Sequence, residues 1–101
     1  MTTQPVLNTL GLINGYPIIA AVLTPAGRGT RPGAVILVDR GEGSSDRYVV
    51  AWRGWDATTG WDTSWHHGQY RSDLGEVWQV FTIRAQRSQA FALAGDPQVA
   101  A

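Results

Sequence analysis

Four tryptophans, Trp52, Trp55, Trp61 and Trp65, fall within fourteen residues, with Tyr48, Tyr70, Arg53 and Arg71 among or beside them. Indoles in a loop and its flanks can form a stacking platform for a planar ligand such as a nucleobase. Arg53 or Arg71 would then offer a planar fork to a phosphate. The same residues also admit a structural reading. Trp52 and Trp65 would be core, while Trp55 and Trp61 clamp the loop or anchor a subunit contact. Trp55 and Trp61 are the harder pair to place in a core. Each follows a glycine, in an echo of Gly54-Trp55-Asp56 by Gly60-Trp61-Asp62.

His66 and His67 are adjacent, so on a regular strand they point to opposite faces and cannot easily share a metal. The chain has no cysteine, and no His-x-His or Glu-x-x-His spacing occurs. A zinc site would need Asp56 or Asp62 and a second chain. No metal or cofactor is therefore expected. A small hydrolase or transferase would use His66 or His67 as base with Asp56 or Asp62. Loop aspartates more commonly cap turns through nearby backbone amides. Gly27-Arg28-Gly29 lacks the Lys and Ser/Thr of a phosphate-cradling loop, and Gly41-Glu42-Gly43 is acidic. Ser44 and Ser45 lack a nucleophile-elbow context.

The elements that must position these residues are mostly strands. Asn14-Gly15 is a two-residue hairpin signal, since both residues tolerate positive φ. It separates a weak strand at Thr9–Ile13 from a firm one at Tyr16–Thr24. Pro17 places that end at a strand start or an edge. Residues 25–33 form a loop rich in Pro and Gly. Ala34–Arg40 and Asp46–Arg53 read as strands, and Ser64–Tyr70 as a short strand interrupted by Gly68. Asp73 with Glu76 fits a capping box. Leu74, Val77, Trp78, Phe81 and Ala85 follow at helical spacing. The helix extends to about Leu93, with Gly95 as a stop. The expected architecture is α+β: an antiparallel meander of three to four strands with one C-terminal helix packed on one face.

With 101 residues the chain is read as one domain over 1–101, with 1–8 and 96–101 expected to fray. Eight basic residues, all Arg, balance eight acidic ones, which argues against binding duplex nucleic acid. Residues 1–6 carry no signal-peptide pattern, and no apolar run approaches the ~20 residues that span a bilayer. A cytoplasmic location without membrane association is the expectation.

The strands carry more apolar surface than one helix covers. Ile18 to Leu23, Ala34 to Val38 and Tyr48 to Trp52 do not alternate, so both faces of the sheet are apolar. A sheet-to-sheet homodimer would cover the second face. The alternative is that the N-terminal segment or the Trp loop folds over it.

Tyr48-Val49-Val50-Ala51-Trp52-Arg53, then Trp65 with Gly68 and Tyr70, then a helix carrying Trp78, Phe81 and Arg84, resembles a loose pattern of small uncharacterised proteins. These are accessory proteins of actinobacterial phages and prophages. The similarity covers about Asp46 to Arg87; His67 and the long Trp loop depart from it. It implies an accessory protein that binds a host protein or a small defence molecule, and it assigns no activity. Three roles follow for the chain. It is a non-enzymatic binding protein for a host protein or a nucleotide-like ligand, a small hydrolase or transferase, or an assembly protein with Trp in subunit interfaces. For a binding role, the candidate residues are Trp52, Arg53, Trp55, Trp61, Trp65, His66, His67, Tyr70 and Arg71.

Overall fold

A computed structural model describes residues 5–27 and 29–95, with side chains as far as Ser88. The chain begins with a 3-10 turn at Leu7–Thr9. It continues through strands β1 (Ile18–Thr24), β2 (Gly33–Asp39), β3 (Tyr48–Asp56), β4 (Gly60–Trp61) and β5 (His66–Arg71) to helix α1 (Leu74–Gly95). β1, β2 and β3 are antiparallel neighbours in chain order. β4 and β5 both pair with β3, β4 at its far end through Trp55↔Trp61 and β5 along Tyr48–Trp52. The α+β class, the meander and the single C-terminal helix are as the sequence predicts. The two-residue β4 makes five strands where three to four were expected.

β2 shows why its sequence does not alternate. Ala34, Ile36 and Val38 face one core, with Leu10, Ile13, Val49 and Ala51. Val35 and Leu37 face another, with Tyr48, Val50, Val77 and Phe81. Every residue from Ala34 to Val38 is fully buried. Each Val, Ile or Leu among them stabilises the fold by about 1.5–3 kcal/mol through burial.

The second face is roofed by the chain itself. Leu10 and Ile13 lie in its core, and Tyr16, Trp61 and Trp65 pack against it. The apolar surplus that motivated a sheet-to-sheet dimer is thus met by the N-terminal segment and the Trp loop together. Asn14 and Gly15, with φ of 52° and 81°, turn the segment back on itself. Ile13 and Tyr16 exchange backbone hydrogen bonds of 3.0 and 2.8 Å across that turn. The hairpin is confined to this bridge. The strand expected at Thr9–Ile13 is replaced by the 3-10 turn at Leu7–Thr9, and β1 starts after Pro17. Of residues 5–8, Pro5 is buried, whereas Val6, Leu7 and Asn8 are exposed. The fraying expected at 1–4 and 96–101 falls outside the described residues.

Asp73 caps α1, its Oδ2 accepting the Glu76 amide at 2.7 Å. Val77, Phe81 and Ala85 are buried against the sheet, whereas Leu74 and Trp78 of the anticipated stripe stay exposed. Trp78 instead meets Phe81 edge-on at 5.7 Å.

Candidate functional site

Gly68 marks a bulge rather than a simple interruption. Val50 pairs with Gln69 and Trp52 with His66, so His67 and Gly68 together oppose Ala51. His67 adopts φ 56°, the left-handed region where glycine sits most easily. A bulge leaves carbonyls without ladder partners, and Arg84 of α1 supplies one. Its Nη1 donates to the carbonyls of Val50 and His67 and to Gln69 Oε1. Arg84 therefore ties the helix to the sheet at the point where the ladder breaks. Burial lowers its pKa from the ordinary value.

Beside this bulge lies a cleft of about 310 Å³, lined by Thr24, Pro25, Gly27 and Thr30 from β1 and its following loop, Trp52, His67, and Arg84 and Ser88 of α1. That volume is at the lower end of the ~300–1,000 Å³ typical of small-molecule sites. The Trp52 ring is fixed by its Nε1–H, which donates to Thr24 Oγ1 at 3.0 Å. Gly33, diagonally across on β2, makes room for it: a Cβ there would fall 2.7 Å from the ring. The Arg31 guanidinium lies 5.7 Å from the ring centre.

Of the residues singled out by sequence, the cleft takes Trp52 and His67. Trp61 and Trp65 pack on the roofed face, as core partners rather than an exposed platform. Trp55 is half-buried and paired with Trp61 across β3–β4. Arg53 is 6% exposed. Its Nε donates to the Asp62 carbonyl at 2.6 Å and its Nη1 to the Leu10 carbonyl at 2.8 Å. It staples the Trp loop to the N-terminal roof and offers no fork to a phosphate. Arg71 pairs with Glu76 at 3.0 Å. Tyr70 accepts the Trp65 indole N–H at 3.1 Å, with Arg40 against its ring.

The two aspartates diverge. Asp56 accepts the Thr58 and Thr59 amides, a turn cap that holds its carboxyl below the ordinary value. Asp62 receives both arms of Arg31, at 3.1 and 2.9 Å, and lies 3.0 Å from His66 Nε2. Arg31 above all, with His66 adding to it, holds the Asp62 carboxyl below its usual range against the opposing effect of partial burial. Gly54 leaves room for this cluster, since a Cβ there would crowd Arg31 and Asp62. A His–Asp contact thus exists, but not at the cleft. His66 does not line it, and His67, which does, has no carboxylate partner among the described residues. No group of three or more His, Cys, Asp or Glu among the described residues could hold a metal. No helix among them is long and apolar enough to cross a membrane.

Sequence reasoning missed Arg84, Ser88, Thr24 and Thr30 as site residues. A signal for Arg84 was present. It lies seven residues after Val77 and three after Phe81, so a cation stands on the core-facing stripe of the helix. Comparison with protein-family models, curated proteins and solved structures found no match.

Proposed function

We propose that this chain is a non-enzymatic binding protein that holds a small planar ligand in the cleft beside Trp52. The observation that carries this reading is the convergence of Trp52, His67 and Arg84 on one cavity from three separate elements. An aromatic wall with a few fixed polar groups is the usual make-up of a small-molecule site. The backbone of His67 adds support, because a non-glycine residue in the left-handed region beside a cavity is a common companion of function. An accessory role, sequestering a small molecule on behalf of a phage, agrees with this reading. The version in which a Trp-rich surface grips a host protein has less support, since Trp52, Trp55, Trp61 and Trp65 are all partly covered by their own chain.

The test is tryptophan fluorescence and calorimetry with a panel of nucleosides, nucleotides and planar carboxylates. The expected result is saturable binding that Trp52→Ala abolishes while the far-UV spectrum is kept. Ser88→Phe, which fills the cleft without touching the sheet core, should do the same. Binding that survives both substitutions, or no saturable binding across the panel, overturns the proposal.

A further inference from the structure

We infer that Arg84 makes one end of this cleft an anion subsite, so that the ligand is a planar molecule bearing a phosphate or carboxylate. The inference rests on the reading that the cleft binds a small ligand. Three observations carry it.

The first is the uncompensated charge of Arg84. Arg31, Arg47 and Arg71 each lie within 3.0 Å of a carboxylate. The acceptors of Arg84 are two backbone carbonyls and the Gln69 amide oxygen, all neutral. Among the described residues no carboxylate meets it.

The second is its pre-organisation. All of these hydrogen bonds converge on Nη1, which fixes the guanidinium plane. The remaining N–H donors have no partner among the described residues. An incoming anion meets a fork whose rotamer freedom is already lost, so little ordering cost remains.

The third is the composition of the cleft. Thr24 and Ser88 contribute hydroxyls and His67 an imidazole, and among the described residues no acidic one lines the wall. A phosphate or carboxylate would meet donors without like-charge repulsion, the arrangement in which charge-assisted hydrogen bonds are strongest.

Calorimetry on the full chain with adenosine, adenosine monophosphate and benzoate tests the inference. The monophosphate is expected to bind about tenfold or more tightly than the nucleoside. The difference should narrow with added salt. Arg84→Gln should erase it, bringing the affinity for the monophosphate down to that for the nucleoside. Because Arg84 also ties α1 to the sheet, Ser88→Asp gives an independent check: it sets a carboxylate in the cleft, and the preference should vanish with the melting temperature kept. Benzoate binding as strongly as the monophosphate would identify the subsite as general for anions, and benzoate failing would identify it as one for phosphate; both uphold the inference. Equal affinity for nucleoside and monophosphate overturns the anion subsite and leaves the ligand cleft standing. Absence of binding by all three probes overturns both.

Discussion

His67 combines a backbone conformation that resists side chains with a place on the cleft wall. His67→Gly should relieve the left-handed strain and raise stability by about 1 kcal/mol. It should also weaken ligand binding, since the ring is lost. Chemical denaturation and calorimetry on one variant read these opposite outcomes, and a loss of stability would contradict the account of the bulge. Arg53 is the contrasting case, an arginine whose work is structural. Arg53→Met removes hydrogen bonds to two carbonyls from separate segments and should cost about 3 kcal/mol, measurable as a lower urea midpoint. Lysine should not rescue it, because one ammonium cannot reproduce two separated donors of a planar fork.

Among the elements, the Trp loop depends on Asp62. Its carboxyl is held below the ordinary value in the folded chain, chiefly by Arg31. Such a group stabilises fully above its unfolded value near ~4 and loses that contribution as pH falls through its folded value. The melting temperatures of wild type and Asp62→Asn should therefore differ at neutral pH and converge in acid. A gap that stays constant to low pH would show that the ion pair does not hold the loop. The elements were legible in the sequence where local chemistry decides them. Asp73 and Glu76 announced the helix start, Asn14-Gly15 the tight turn, and the unbroken apolar run of β2 a strand buried on both faces. The bulge at His67 was not legible, because it arises from how β5 registers on β3. Nor was the pairing of Arg31 with Asp62, 31 residues apart. Trp52 and His67 were recognised by residue type, but their neighbours Thr24, Arg84 and Ser88 come from segments distant in sequence.

At the scale of the whole molecule, the second sheet face is covered by two segments far apart in the chain, the N-terminal one and the Trp loop between β3 and β5. Removing residues 1–16 should bare Ala34, Ile36, Val38, Val49 and Ala51 to water. The shortened chain should then show a larger mass than the full one by size-exclusion chromatography with light scattering. An unchanged mass would mean that the Trp loop alone suffices as cover. The two covers also meet at one guanidinium, which binds the Leu10 carbonyl on one side and the Asp62 carbonyl on the other. Peeling away either one leaves the other with a severed tether. In native-state hydrogen exchange, the amides of Leu10 and Asp62 should accordingly share a single opening free energy, as one foldon rather than two.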